Sequence, residues 1–258
     1  MTRDREAGAR PVALITGAGK GIGRAAAVAL ARQGVKVALL ARDEVSGQEA
    51  IAACEAVGGE ALWLSADVGS EEQVAAAFDR LDEHWGRLDV LVNNAGIYAQ
   101  GDVVSTSLDD WERLQRVNVT GAFVCAKYAV PLMQRGGGGS IINVASEAGL
   151  VGIPGQLAYN VSKAALIAMT RSMAVDLAAE QIRVNCVCPG TTWTPLVEAS
   201  VASDANPAQR LEHLEKSRPA GRLGTADEIA GAIVYFAADH ARYTTGAVLS
   251  VDGGYTAQ

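Results

Sequence analysis

Eight residues near the N-terminus, Thr16-Gly-Ala-Gly-Lys-Gly-Ile-Gly23, separate a short apolar run, Pro11-Val-Ala-Leu-Ile-Thr16, from a strong helix former, Gly21-Ile-Gly-Arg-Ala-Ala-Ala-Val-Ala-Leu-Ala31. The commoner spacing G-x-G-x-x-G fails, because Ile22 occupies its third glycine position. G-x-x-x-G-x-G fits Gly17, Gly21 and Gly23. The physics is the same: glycines allow a tight turn and close backbone approach, and a helix N-terminus opens toward a pyrophosphate.

The rest of the chain repeats this strand-then-helix order. Strand-like runs at 11–16, 35–41, 60–65, 88–93, 139–145, 182–188 and 247–251 alternate with helical ones near 20–33, 43–57, 70–84, 107–135, 157–179 and 225–238. The fourth helical stretch is expected to break near Asn118. Such alternation predicts an α/β fold, a doubly wound parallel sheet of about seven strands with helices on both faces. At 258 residues and 49% hydrophobic content, residues 1–258 suit one domain. Gly136-Gly-Gly-Gly139 follows a helix and precedes a strand, so it reads as a turn. The polar, alanine-rich segment at about 191–222 breaks the alternation after the sixth strand, where loops carry the ligand crevice; it reads as a substrate lid of one or two short helices.

Bulk properties narrow the partners. A net charge of −7 with no basic run argues against nucleic acid. The polar segment Met1–Arg10 lacks the apolar stretch of a signal peptide, and no apolar run reaches the ~18 residues of a membrane span, so a cytoplasmic location is expected. Cys54, Cys125, Cys186 and Cys188 give no disulfide or zinc spacing, and Cys186 and Cys188 alternate with valines in a buried strand as packed thiols. His84, His213 and His240 show no ligand spacing, and no metal is expected.

A reactive constellation lies in the second half. Tyr159 and Lys163 stand at i and i+4, on one face of a helix, and Ser146 lies 13 positions upstream at the end of the apolar run Ser140-Ile-Ile-Asn-Val-Ala145. Free tyrosine titrates near ~10, too high for a proton carrier at neutral pH, and a fixed positive charge nearby lowers it. Tyr159 is then expected to exchange a proton with a substrate oxygen that Ser146 also hydrogen-bonds.

Together with Asp67-Val68, Asn93-Asn-Ala-Gly96, Asn118, Pro189-Gly190 with Thr194, and Val251-Asp-Gly-Gly254, these motifs make the chain resemble the short-chain dehydrogenase/reductase family, in its compact single-domain branch with a Tyr-x-x-x-Lys active site. The resemblance runs from about Pro11 to Tyr255. It implies a Rossmann-like domain, hydride transfer with NAD(P), and a homo-oligomer in which the helix at 157–179 and the one before it pair with their copies, as a dimer within a tetramer. It also implies roles. Asn118, Ser146, Tyr159 and Lys163 are the catalytic set: Ser146 polarises the carbonyl, Tyr159 moves the proton, Lys163 lowers the tyrosine pKa and binds the nicotinamide ribose, and Asn118 holds a water that links Lys163 to solvent. The cofactor is met by Gly17, Gly19, Lys20, Gly21, Ile22, Gly23, Arg42, Asp67, Val68, Asn94, Ala95, Gly96, Tyr159, Lys163, Pro189, Gly190, Thr192 and Thr194. Asn93 is expected to brace the sheet.

The end of the second strand bears on NAD against NADP. An NAD binder carries an acidic residue there for the ribose 2′-hydroxyl. Here Ala41 cannot accept, Arg42 follows, and Lys20 adds a second cation for a 2′-phosphate. NADP(H) is therefore preferred, with NAD(H) possible because Asp43 adjoins Arg42. The substrate pocket is expected from Ser146, Glu147, Gln156, Tyr159, Trp193 and Leu196, with Ile97, Tyr98 and Val197 nearby. Glu147 and Gln156 are candidates for binding substrate hydroxyls, and Trp193 for stacking on a ring. The expected activity is an NADP(H)-dependent interconversion of a ketone and a secondary alcohol on a small molecule. The alternatives are an NAD-dependent dehydrogenase of a sugar, cyclitol or cyclic alcohol, and a non-catalytic dinucleotide-binding sensor.

Overall fold

A computed structural model describes residues 10–258; the N-terminal segment read above as polar and leaderless falls almost wholly outside them. Seven strands form one parallel sheet: β1 (Val12–Thr16), β2 (Lys36–Ala41), β3 (Ala61–Ser65), β4 (Val90–Asn93), β5 (Gly139–Val144), β6 (Ile182–Pro189) and β7 (Val248–Val251). Each begins and ends within two residues of the sequence expectation. Their order in the sheet is β3-β2-β1-β4-β5-β6-β7. Every residue of β1, β4 and β5 is buried, as strands covered on both faces require.

The helices are α1 (Gly21–Arg32), α2 (Glu44–Glu55), α3 (Glu71–Trp85), α4 (Leu108–Gln115), α5 (Gly121–Arg135), α6 (Leu157–Asp176), α7 (Pro195–Ala202), α8 (Pro207–Lys216) and α9 (Ala226–Ala237). Local chemistry sets their ends. Ser70 caps α3 by accepting from the Gln73 N–H, Glu71 and Glu72 complement its dipole, and Gly86 closes it in the left-handed region at φ 66°. Thr225 and Glu228 close a reciprocal capping box at the start of α9. The expected break near Asn118 is a π-helical turn, Arg116–Thr120, between α4 and α5. The segment after β6 folds into α7 and α8, and its flanks pair Thr192–Trp193 with Gly224–Thr225.

Two apolar layers sandwich the sheet. Phe78, Leu81, Leu132 and Met133 from α3 and α5 fill one face. Leu30, Ile229, Ile233 and Phe236 from α1 and α9 fill the other. Chain connections diverge between β1 and β4, which opens a crevice above their carboxyl ends.

A buried polar chain crosses the layers. The Asn93 amide donates to Asn143 Oδ1 at 2.9 Å, and the Asn143 amide donates to Thr170 Oγ1 on α6 at 2.9 Å. Asn93 thus braces β4 to β5. Asn143→Ala leaves the Asn93 amide and the Thr170 hydroxyl short of a partner, so a loss of about 1–3 kcal/mol is expected in urea unfolding, against little change for an exposed Asn→Ala control.

Candidate active site

One cleft of about 540 Å³ runs across the carboxyl ends of the central strands. Gly17, Gly19, Lys20, Gly21, Ile22, Arg42, Asp67 and Val68 line one end, and Asn94, Ala95 and Gly96 its middle. Ser146, Tyr159, Lys163, Pro189, Gly190, Thr192 and Thr194 line the other end. Residues up to 197 positions apart in sequence, from Gly17 to Leu214, therefore share one surface.

The glycine end is shaped by backbone. Gly17 and Gly21 sit at φ 64° and 58°, a region that side-chain-bearing residues rarely adopt. Gly23, expected at the cofactor, lies off the cleft wall. A Cβ there would lie 2.4 Å from the Gly17 carbonyl oxygen, so this glycine lets α1 pack under the turn. No side chain caps the N-terminus of α1, and its first turn holds no acidic residue. Uncapped N–H groups behind a glycine-rich turn fit a dinucleotide pyrophosphate.

Thr16, unassigned from sequence, fixes this end. Its hydroxyl accepts from the Asn94 and Ala95 N–H groups at 3.0 and 2.9 Å and donates to the Val92 carbonyl at 3.3 Å. The Asn94 amide donates to the Thr16 and Gly17 carbonyls at 2.9 and 3.3 Å. Nearby, Lys20 lies 3.8 Å from Asp43, and Arg42 lies 3.5 Å from Asp67. Both cations meant for a 2′-phosphate already face a carboxylate.

At the far end, Ser146 follows β5 and caps a short turn by accepting from the Ala148 N–H at 3.2 Å. Its hydroxyl stands near enough to the Tyr159 hydroxyl to favour the phenolate form. Lys163, buried on the same face of α6, donates to the Val144 carbonyl at 2.9 Å and stands 5.6 Å from the centre of the Tyr159 ring. Burial pushes the Tyr159 phenol up to about 12, only partly offset by Ser146. Burial also pushes Lys163 down to about 8. The raised phenol departs from the lowering expected of Lys163, and desolvation is the largest cause. Tyr98 packs edge-on against Tyr159, with ring centres 5.2 Å apart.

Asn118, on the π-helical turn, is 1% exposed and does not line the cleft. Its Oδ1 accepts from the Ile97 N–H at 2.8 Å, and its amide donates to the Ile97 carbonyl and the Ser162 hydroxyl, both at 3.0 Å. The side chain thus ties the strand-end loop to α6. Trp193 and Glu147, both expected at the pocket, are placed differently. Trp193 is 44% exposed and lies off the cleft wall, because its short strand pairs with Gly224–Thr225. Glu147 reaches the wall but is engaged: Arg218 donates to its Oε1 at 2.7 Å, and the Thr191 hydroxyl donates at 3.3 Å. The other Glu147 oxygen is buried without a partner. Arg218 and Thr191 thus hold one carboxylate oxygen of Glu147 at the wall. Arg218 went unnoticed because nothing in the sequence connects positions 71 apart. Gln156, Leu196, Ile97, Tyr98 and Val197 do line the cleft. Among the described residues no group of three or more His, Cys, Asp or Glu is placed to hold a metal ion.

The tyrosine shift has a definite sign. The fold favours the neutral phenol; the stability that this contributes is complete below the ordinary value of 10 and is lost as pH rises through about 12. The difference absorbance at 295 nm between the ligand-free protein and Tyr159→Phe should show no phenolate at pH 10. A full tyrosinate signal there would contradict the burial argument.

The family model described as Enoyl-(Acyl carrier protein) reductase matches residues 17–256. An uncharacterized oxidoreductase of Thermotoga maritima is 47% identical over 247 residues, covering 95% of this chain and 97% of that protein. A cis-4-hydroxycyclohexanecarboxylate dehydrogenase of Sinomonas cyclohexanicum is 42% identical over 255 residues, covering 98% and 99%. The crystal structure of a short-chain type dehydrogenase/reductase from Mycobacterium marinum superposes with a TM-score of 0.89 at 39% identity, covering 96% of each chain. With the parallel sheet, the glycine turn and the Ser-Tyr-Lys set on one cleft, these likenesses make the chain a member of the short-chain dehydrogenase/reductase family, oxidoreductases that work with nicotinamide nucleotides.

Proposed function

We propose that the protein is an NADP(H)-dependent oxidoreductase interconverting a ketone and a secondary alcohol. The observation that carries this is the Ser146–Tyr159 hydroxyl pair beside Lys163, opening on a cleft that starts at the glycine turn. When bound, the nicotinamide supplies the hydride or takes it back. Gly17, Gly19, Gly21 and Ile22 would hold the pyrophosphate, Asp67 and Val68 the adenine side, and Lys163 the nicotinamide ribose. Pro189, Gly190, Thr192 and Thr194 would hold the carboxamide edge.

In the reductive direction Ser146 hydrogen-bonds the carbonyl oxygen, and Tyr159, kept neutral by burial, gives that oxygen its proton as negative charge develops. In the oxidative direction Tyr159 takes the proton back, which a higher pH favours. Asn118 acts behind this set, fixing Ile97 against α6. Helices α7 and α8 act as the lid: Leu196, Val197 and Leu214 reach over the cleft. The chemistry calls for a small-molecule substrate, and an acidic chain whose described helices are all too short or too polar to cross a membrane fits work in the cytoplasm.

The cofactor preference rests on Ala41, Lys20 and Arg42 at the cleft mouth. The ion pairs of these cations with Asp43 and Asp67 favour a second reading, an NAD-dependent dehydrogenase of a cyclic alcohol, the class after which the relative from Sinomonas is named. A non-catalytic sensor fits less well, since Ser146, Tyr159 and Lys163 all converge on the cleft. Phe123 on α5 and Val161 and Val175 on α6 stay exposed in the single chain, which supports pairing of these helices with a second copy, as a dimer within a tetramer. Size-exclusion chromatography with light scattering should give a multiple of 26.7 kDa, and a lone monomer at that mass would refute the pairing.

The functional test is oxidation of NADPH and NADH against a panel of ketones, β-ketoesters and keto-sugars. Turnover should be faster with NADPH, and Tyr159→Phe should cost at least about 100-fold in kcat. Arg42→Ala should weaken NADPH at least about tenfold and leave NADH within a factor of two. Turnover confined to NADH would transfer the assignment to the second reading.

A further inference from the structure

Seven charged side chains line the cleft: the cations Lys20, Arg42, Lys163 and Arg210 and the anions Asp43, Asp67 and Glu147. Their pairing is uneven. Asp43 faces Lys20, Asp67 faces Arg42, and Glu147 is held by Arg218, which lies outside the lining. Lys163 is committed to the Val144 carbonyl and the Tyr159 ring. Among the described residues Arg210 alone of the four faces no anion and makes no side-chain hydrogen bond.

Its surroundings make that isolation informative. Arg210 and Leu214 stand one turn apart on α8 and both line the cleft, opposite Leu196, Val197 and Val201 of α7. On the rest of α8, Glu212 and Lys216 pair with each other at exposed positions, as on an ordinary solvated face. Arg210 is half-buried and turned from that face toward an apolar wall. A guanidinium in such a wall gives up hydration without an anion to replace it. Its planar fork matches a carboxylate in two parallel hydrogen bonds.

We propose that Arg210 recognises an anionic group on the substrate, a carboxylate in its simplest form, at the lid side of the pocket. This deepens the oxidoreductase reading and rests on it for the word substrate. The molecule that fits has a ketone or alcohol at Ser146 and Tyr159, an apolar body against Ile97, Tyr98 and Leu196, and an acid at Arg210.

The test compares oxo acids with their primary amides, which keep size and shape and remove the charge. 4-Oxocyclohexanecarboxylate and 5-oxohexanoate would each be assayed against the matching amide, with wild type, Arg210→Met and Arg210→Lys. Wild type should prefer at least one acid by about tenfold or more in kcat/KM, mostly through KM. Arg210→Met should abolish the preference while leaving the amide unchanged, and Arg210→Lys should retain part of it. Calorimetric titration with cyclohexanecarboxylate and cyclohexanecarboxamide, run with NADPH present, reads the same preference without turnover. Equal treatment of acid and amide in both measurements would overturn the proposal. So would an Arg210→Met variant that binds NADPH more weakly with its acid-to-amide ratio intact, since the arginine would then serve a cofactor phosphate. An Arg210-dependent preference in the titration with no ketone turned over would keep the anion site and discard the oxidoreductase reading. Turnover without preference would do the reverse.

Discussion

The arrangement of this site depends on how two neighbouring strand ends are held together. Beyond Ile15 and Val92 the backbone ladder between β1 and β4 ends. The Thr16 hydroxyl and the Asn94 amide take over, bridging the end of β1 to β4 and the Asn94–Ala95 turn through five hydrogen bonds at 2.9–3.3 Å. The glycine turn and the floor of the cleft are set by that bridge. Farther along, Asn93, Asn143 and Thr170 carry the same alignment from β4 through β5 into α6, which bears Tyr159 and Lys163. The two ends of the cleft are thus connected by buried side-chain amides and hydroxyls whose loss would leave unsatisfied polar groups in the core.

Desolvation is the dominant electrostatic influence at the reactive end. Burial pushes Tyr159 up and Lys163 down, so each moves toward its neutral form. Ser146 stands beside the phenol, and the amine keeps the Val144 carbonyl as its anchor. An acid that remains protonated at neutral pH suits reduction, where a proton must be given to a developing alkoxide. The sign of the Lys163 shift also matters for the fold. Its buried charge is a penalty at and below about pH 8, relieved as pH climbs toward the ordinary lysine value of 10.5.

A second buried ion pair organises the substrate side. Glu147 adjoins Ser146 in the chain, and its partner Arg218 follows α8 and lies over the ring of Tyr255 at 5.1 Å. Such a pair contributes little net stability, because desolvating both charges offsets their attraction. What it supplies is placement: the loop after the catalytic serine, the end of the α7–α8 segment and the C-terminal turn meet at one point. With one oxygen of that carboxylate held by Arg218, the lid side of the pocket offers Arg210, which pairs with no anion among the described residues.

The sequence by itself determined the strand and helix order, the glycine turn, the break at Asn118 and the Ser-Tyr-Lys spacing. These depend on neighbours along the chain: periodicity, caps and the conformational freedom of glycine act over a few residues. Tertiary structure decided the rest. Gly23 turned out to be a packing position because only the folded turn brings the Gly17 carbonyl over it. Trp193 left the pocket because a strand 32 positions later claims its backbone. Glu147 met Arg218, and Arg210 met no anion among the described residues, because the fold-back of α7 and α8 fixes which charges face each other. Pairing and burial are properties of distance in space, so no local pattern in the chain could encode them.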